Sequence, residues 1–227
     1  MSTVAQVRKV AAPLLRNNPD LALVGRFVVL KPVTHILRFV MLDNTSGKDA
    51  FRPRWAVAPL FYFDAMVNLR WGEMLYGGES GLWLATADGI DLALLAKCED
   101  VALPILRAIK TVDDFAAFAS KPPAWVTPLH EFPALKIYVD AARGDRAAAM
   151  AQCAYFANDN ATRRYAQHKM QADLDVIRNR LCPLILAGDI AGIAAFLHEM
   201  ELAAVRRLKL EKVWQRTPFP IEEHGWI

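Results

Sequence analysis

The sequence has little cysteine and no long apolar run. Its three cysteines, Cys98, Cys153 and Cys182, are widely spaced, and no Cys-x-x-Cys pair occurs. An odd, scattered set does not suit a disulfide-stapled secreted domain, so we expect free, mostly buried thiols in a reducing cytoplasm. No apolar stretch approaches the roughly 20 residues that span a bilayer. The charges of residues 1–16 are interspersed at helical spacing, unlike those of a signal peptide. The predicted location is therefore cytoplasmic, without a membrane partner.

The motifs of the common catalytic and cofactor sites are also absent from the sequence. It contains neither a G-x-x-x-x-G-K-[ST] phosphate loop nor a G-x-G-x-x-G turn. Gly78 and Ser80 begin a G-x-S-x-G nucleophile elbow, but Leu82 stands where the second glycine would be needed. His198 and Glu199 begin an H-E-x-x-H zinc motif that no second histidine completes. We expect no cofactor and no bound metal.

The charge is weakly positive and unevenly distributed. The chain has 227 residues, a net charge of +3 and 54% apolar residues. Residues 1–75 hold 10 Lys or Arg against 5 Asp or Glu, whereas the remainder holds 17 against 19. The positive excess therefore belongs to the N-terminal part, and it is too small by itself to indicate nucleic-acid binding.

Hydrophobic periodicity separates the chain into a strand-rich part and a helical part. A first helix, capped by Ser2, is predicted to run to about Leu15. Short alternating runs then predict a meander of antiparallel strands. The predicted strands are Arg26–Leu30, His35–Leu42, Arg54–Tyr62, Met66–Trp71 and a short one at Leu82–Leu84, with a loop or strand end over Gly72–Gly81.

From Asp88 onward the apolar period is that of helices, and one short motif recurs. Asp145 and Asp189 each follow a glycine that follows an apolar run, and Asp100 occupies a similar place 45 residues before Asp145. Glycine ends helices in the left-handed conformation and aspartate caps the next helix, so the motif predicts antiparallel helix hairpins. Both a helical repeat and independent hairpin turns fit this spacing. Longer helices are predicted over Asn158–Leu186 and from Ile190 to about Trp214, followed by a tail that docks through Trp226 and Ile227.

These patterns predict an α+β fold. It has an N-terminal helix and a four- to five-stranded, mostly antiparallel sheet, followed by a helical C-terminal half of antiparallel helix hairpins. Residues 1–85 form the predicted α+β part and residues 86–227 the helical part, packed together as one compact body.

Arginines that interrupt the apolar strands are the best candidate for a site. Because guanidinium groups bind carboxylates and phosphates through paired hydrogen bonds, arginines on a shared sheet face would form an anion-binding surface. The simpler alternative is that they only solvate one face of the sheet or protect its edge. The candidate residues are Arg26, Arg38, Arg54, Arg70 and the neighbouring His35, with the aromatics Trp55, Phe61, Tyr62 and Trp71 interleaved.

The function that this pattern predicts is binding without catalysis. The partner would be an acidic protein or a small anion. An enzyme acting on a small anionic substrate, with arginine clamps and His35 or His130 as acid–base, stays open as an alternative. So does a weak nucleic-acid binder that stacks bases on the interleaved aromatics, which the modest charge disfavours.

Three short stretches carry a resemblance to other proteins. Over about residues 20–120 the chain resembles a loose group of uncharacterised bacterial proteins. The resemblance lies in Arg26–Arg38, in Asn68–Leu75, and in Ala102–Leu106 together with Thr111–Phe115. The resemblance implies an α+β N-terminal part. It implies no activity, cofactor or site residue.

Overall fold

A computed structural model describes residues 3–45, 47, 49–62, 69–77, 83–121, 123, 128–158 and 171–227. Its contacts divide the chain into two compact units. Unit 1 consists of Met1–Ala58, Asn68–Lys110 and Lys209–Gln215, and unit 2 of Pro59–Val67, Thr111–Leu208 and Arg216–Ile227.

The first helix of unit 1, α1 (Val4–Asn17), begins with a reciprocal cap. Thr3 Oγ1 accepts a hydrogen bond from Gln6 N at 3.2 Å, and Gln6 Oε1 accepts one from Thr3 N at 2.7 Å. This capping box satisfies backbone donors that a helix start otherwise leaves open. Val7, Val10 and Leu14 recur at helical spacing and are buried. The predicted first helix is confirmed, but its cap is Thr3 rather than Ser2.

Six strands follow in the described residues, and their sheet confirms the antiparallel meander. The strand order is β1-β2-β3-β4-β5, with β6 also paired to β4, and the pairings β1–β2, β2–β3, β4–β5 and β4–β6 are antiparallel. The fold class α+β is therefore observed. The strands are β1 (Leu21–Val24), β2 (Phe27–Leu30), β3 (Ile36–Asn44), β4 (Ala50–Pro59), β5 (Trp71–Met74) and β6 (Trp83–Leu84).

The strand bounds differ from the prediction at several points: β4 runs over Ala50–Pro59 rather than Arg54–Tyr62, β3 is shifted by one or two residues, and β1 and β5 differ further. The first predicted strand is the second arm of a hairpin, because Gly25 adopts φ +60° and turns the chain back between β1 and β2. Strand β5 begins where the strand Met66–Trp71 was expected to end, and residues 63–68 lie outside the described part. Gly72 admits this pairing, since a Cβ there would collide with the carbonyl oxygen of Trp55 on β4.

The helices that follow the sheet in unit 1 are continuous from Ile90 to Ala108. The predicted hinge between two helices at Asp100 is therefore wrong. Helix α2 (Ile90–Lys97) leads through a π-helical turn, Cys98–Ala102, into α3 (Leu103–Ala108). Cys98 keeps right-handed helical angles, φ −69° and ψ −44°. Because no glycine precedes Asp100, nothing turns the chain into the left-handed conformation there. These helices belong to the same unit as the sheet, whereas the sequence assigned them to the helical part.

Unit 2 is helical, and both of its predicted glycine–aspartate hinges are confirmed. Gly144 and Gly188 end helices with φ +78° and +70°. Asp145 and Asp189 then accept hydrogen bonds from the backbone N–H of Ala148 and Gly192. The helices are α4 (Val112–Ser120), α5 (Pro133–Arg143), α6 (Arg146–Ala157), α7 (Gln171–Val176), α8 (Cys182–Ala187), α9 (Ile190–Leu208) and α10 (Pro220–His224), with a 3₁₀ turn at Leu129–Glu131 and a π-helical turn at Ile177–Leu181.

The C-terminal tail docks onto unit 2, as predicted. The backbone N–H of Ile227 donates to the Gly144 carbonyl at 2.8 Å, and Trp226 Nε1 donates to the Gly188 carbonyl at 3.4 Å. The last long helix ends at Leu208 rather than near Trp214, because Lys209 leaves the helix with φ +58°. Asn158 is the C-cap of α6, and the predicted start of the next long helix falls on residues 159–170, outside the described part.

The expectation of three free thiols is wrong for two of the cysteines. Cys153 on α6 and Cys182 on α8 form a disulfide, with Cα atoms 5.6 Å apart. The two cysteines are 29 positions apart, and no sequence pattern shows that their helices pack side by side. Cys98 is free and buried, and desolvation raises the pKa of its thiol to about 12. Its thiolate is therefore scarce at neutral pH.

None of the helices in the described ranges combines the length and the apolar character needed to cross a membrane.

Candidate functional site

Of the predicted site residues, Arg38 lines a well-defined cavity. It lies on β3 and is 8% exposed. Arg26 stands in the turn before β2, where its Nη1 donates to the Leu42 carbonyl at 3.1 Å. Arg54 is half-buried on β4, and Arg70 is exposed just before β5.

The alternation of side chains along the strands separates Arg38 from Arg54. Leu42 and Phe51 lie against Val7 of α1, so they point to the helix side of the sheet. Arg38 is four residues from Leu42 and shares that side, whereas Arg54 is three residues from Phe51 and points to the other. The sheet therefore brings Arg38 to a different surface from Arg54.

The space beside Arg38 is a cavity of about 470 Å³ whose charged lining residues are mostly basic. Four of its eight lining side chains are cationic and one is a carboxylate. We call this space the basic cavity. Its lining residues are Asp20, Leu30, Lys31, Pro32, Thr34, Arg38, Arg107 and Lys110, all within unit 1.

Backbone contacts hold the rim of the basic cavity. Lys31 N donates to the Asp20 carbonyl at 2.7 Å, closing the β1–β2 hairpin. Val33 pairs with the segment Val213–Gln215 through hydrogen bonds of 2.9 and 2.8 Å. Arg38 Nη2 donates to the Pro32 carbonyl at 3.1 Å. The guanidinium group thus lies on a strand whose position is fixed by its neighbours, which limits its conformational freedom.

Asp20 and Arg107 form a paired contact on the cavity wall. Arg107 Nε and Nη2 each donate to one oxygen of the Asp20 carboxylate at 3.0 Å, and Nη2 also donates to Asn18 Oδ1 at 2.7 Å. The hydrogen bond from Arg107 lowers the pKa of Asp20 and raises that of Arg107. Both groups therefore stay ionised over the physiological range.

The sequence does not mark the four other charged residues that line the basic cavity, Asp20, Lys31, Arg107 and Lys110. Lys31 interrupts no apolar strand, since it directly follows β2. Arg107 and Lys110 lie on and after α3, in the part of the chain assigned to the helices. No local pattern joins residues 20, 31 and 38 to residues 107 and 110, because the fold alone brings them together.

The aromatic and histidine candidates do not join this cavity. Trp55, Phe61 and Trp71 are fully buried core residues, so their rings are not available for stacking with a base. His35 is 6% exposed and His130 is exposed on the 3₁₀ turn of unit 2. Within the described ranges, the lining of the basic cavity includes neither an aromatic ring nor an imidazole.

A second polar cluster lies in unit 2 around His198. Its Nδ1 is 3.2 Å from Glu201 Oε2, and its Nε2 is 2.9 Å from Glu222 Oε2 on α10. Glu201 is fully buried, and the ring of Phe219 packs against the imidazole with centroids 4.7 Å apart. The hydrogen bond to Glu201 is the main cause that raises the pKa of His198, despite opposing desolvation. The cluster fastens α10 to α9.

We expect this cluster to make stability depend on pH. Because the folded pKa of His198 lies above its unfolded value of about 6.5, its contribution is complete below that value and is lost as pH rises through the folded pKa. Urea unfolding should show that the wild-type free energy of unfolding falls by about 1–2 kcal/mol between pH 6 and pH 9. The variant His198→Gln should not show this fall.

The matched control is His130→Gln, which replaces an exposed histidine of the same unit. It should retain the wild-type pH dependence. An unchanged pH dependence in His198→Gln would show that the imidazole–carboxylate contacts do not stabilise the fold.

No trio of His, Cys, Asp or Glu side chains within the described ranges is placed to hold a metal ion. Comparisons with protein-family models, curated proteins and solved structures find no match for this chain. The resemblance to a group of bacterial proteins stays a prediction. The chemistry of the basic cavity is therefore the basis for a function.

Proposed function

We propose that this chain is a non-catalytic binding module that holds an anionic partner in the basic cavity. The observation that carries the proposal is the convergence of Lys31, Arg38, Arg107 and Lys110 on one cavity of about 470 Å³. That volume lies within the range of roughly 300–1,000 Å³ typical of ligand pockets. Cations that face one concave space raise the local concentration of anions and supply charge-assisted hydrogen bonds.

The composition of the cavity wall supports binding over catalysis. An acid–base enzyme requires a group that exchanges protons near neutral pH within reach of the substrate. The described lining offers lysines, arginines, one threonine and a carboxylate that Arg107 keeps ionised. The enzyme alternative requires His35 or His130, and the described wall contains neither.

The same wall disfavours the nucleic-acid alternative. Sequence-tolerant binding of single strands relies on aromatic rings exposed beside a basic groove. The rings interleaved with the strand arginines include Trp55, Phe61 and Trp71, which are buried in the core.

Replacing Arg38 tests the proposal. Titration calorimetry at low salt with sodium pyrophosphate and with a short polyglutamate peptide should detect binding of at least one of them. Arg38→Gln should weaken that binding by about 10- to 100-fold, the effect of losing a charge-assisted hydrogen bond. Arg38→Lys keeps the charge but not the paired donors, so its affinity should lie between those of the wild type and Arg38→Gln.

The matched control is the double variant Arg54→Gln/Arg70→Gln, which removes two predicted site arginines that do not line the basic cavity. It should bind as the wild type does. The proposal fails if neither probe binds, or if the control loses as much affinity as Arg38→Gln. Circular dichroism spectra of all variants show whether the fold is retained.

We also propose that the protein is cytoplasmic, although the Cys153–Cys182 disulfide argues for an oxidising compartment. Disulfides persist mainly in oxidising compartments, so the Cys153–Cys182 bond counts against a permanently reducing one. Alkylation of the thiols during cell lysis tests the location. Three labelled cysteines would support the cytoplasm, whereas labelling of Cys98 alone would oppose it.

A further inference from the structure

We infer that the ligand of the basic cavity is a compact anion with at least two negative charges and no aromatic group, of the phosphate monoester class, and that Asp20 sets its affinity. This inference rests on the proposed function and names the ligand class for the same site.

The charge of the cavity wall favours more than one negative charge on the ligand. The Asp20 carboxylate neutralises Arg107 through two hydrogen bonds of 3.0 Å. Lys31, Arg38 and Lys110 bring three further positive charges to the same wall. Because Coulomb attraction grows with the product of the charges, a dianion gains about twice as much from this wall as a monoanion of the same shape.

The kinds of donor on the wall suit a phosphate group. A guanidinium group offers several N–H donors in one plane, an ammonium group offers three that rotate, and a hydroxyl offers one. Arg38, Lys31, Lys110 and Thr34 supply all three kinds around one space. A phosphate monoester presents three terminal oxygens in a tetrahedral arrangement, which accept from donors that approach from several directions.

The apolar part of the wall is aliphatic. Leu30 and Pro32 are the apolar lining residues, and the described wall has no ring on which a base would stack. Stacking on an aromatic side chain contributes strongly to the binding of a nucleobase. Without such stacking, a nucleoside monophosphate should bind with nearly the same affinity as the corresponding sugar phosphate.

Asp20 gives the site a built-in competitor for anions. Its carboxylate occupies the donors of Arg107 that would otherwise bind the ligand, and it repels a second anion nearby. Removing its charge while keeping its shape therefore strengthens binding. A carboxylate with only a structural role would not produce a gain in affinity when neutralised.

The test is calorimetric titration of the full chain with three probes: ribose 5-phosphate, adenosine monophosphate and acetate. Ribose 5-phosphate should bind at least about tenfold more tightly than acetate, and adenosine monophosphate should stay within about threefold of ribose 5-phosphate. Asp20→Asn should tighten ribose 5-phosphate binding by about five- to tenfold. The control Asp43→Asn, at an exposed aspartate of β3, should leave it unchanged.

The outcomes separate this inference from the function on which it rests. Binding of polyglutamate that depends on Arg38, without binding of ribose 5-phosphate, would overturn the ligand class and leave the binding function in place. A preference of tenfold or more for adenosine monophosphate would overturn the non-aromatic class. Unchanged or weaker binding in a folded Asp20→Asn variant would overturn the role of Asp20. No binding of any anion would remove the proposed function itself.

Discussion

Substituting alanine for Gly144 is expected to destabilise unit 2 far more than the same change at Gly188. Both glycines end a helix in the left-handed conformation, and both precede a capping aspartate. A Cβ at Gly144 would collide with the carbonyl oxygen of Gly225, so the tail must move. A Cβ at Gly188 would meet only ordinary contacts, the nearest being Arg146 Nη2 at 3.6 Å. Gly188→Ala therefore costs only the free energy of placing alanine in the left-handed backbone conformation.

Chemical denaturation measures this difference directly. We expect losses in the free energy of unfolding of about 1 kcal/mol for Gly188→Ala and about 3 kcal/mol for Gly144→Ala. Removing Trp226 and Ile227 from both variants should not erase the difference, because Gly225 remains. Equal losses would show that the close approach of the tail to Gly144 does not stabilise the unit.

Reducing the Cys153–Cys182 disulfide is expected to give the other large loss of stability. Cross-linking residues 29 apart restricts the unfolded chain, and a loop of that size corresponds to about 3–4 kcal/mol. The midpoint of thermal unfolding should therefore fall by roughly 10 °C in reductant. The variant Cys153→Ala/Cys182→Ala supplies the control, since reductant should leave its midpoint unchanged.

Cysteine labelling checks the same bond by counting thiols. In denatured, unreduced protein, iodoacetamide should modify Cys98 alone, and after reduction it should modify all three cysteines. Three labelled thiols without reductant, together with an unchanged melting midpoint, would contradict the disulfide.

Local signals account for the parts of the fold that the sequence predicts well. The meander follows from short connections between alternating strands, and the hinges at Gly144 and Gly188 follow from glycine and aspartate side by side. The hinge predicted at Asp100 is absent because the aspartate there is not preceded by a glycine. The hairpin at Gly25 was missed because β1 has four residues and no alternation strong enough to mark it.

The candidate site shows where local signals end. Arg38 was predicted because it interrupts an apolar strand, and Arg54 shares that pattern. The face on which each arginine lies depends on strand register, which the sequence leaves open. Arg107 and Asp20 are 87 residues apart, and their contact depends on how α3 packs in unit 1. The disulfide was missed for the same reason, since it requires two helices to be neighbours.

The arrangement in unit 1 suits a binding site that needs little rearrangement. Arg38 is held by the Pro32 carbonyl on a central strand. Lys31 lies at the open end of the β1–β2 hairpin, where its backbone N–H donates to the Asp20 carbonyl. Sites on regular elements keep their geometry better than sites on loops. Affinity would then come from preformed charge rather than from ordering of the chain on binding.

The most direct measurement of the central claim is nuclear magnetic resonance of the arginine side chains. Titrating the labelled protein with ribose 5-phosphate should shift the Nε–H signal of Arg38 in a saturable way, with a smaller shift at Arg107. The signal of Arg54, on the other side of the sheet, should stay in place. Saturable shifts at Arg54 or Arg70 with none at Arg38 would contradict the assignment of the basic cavity as the binding site.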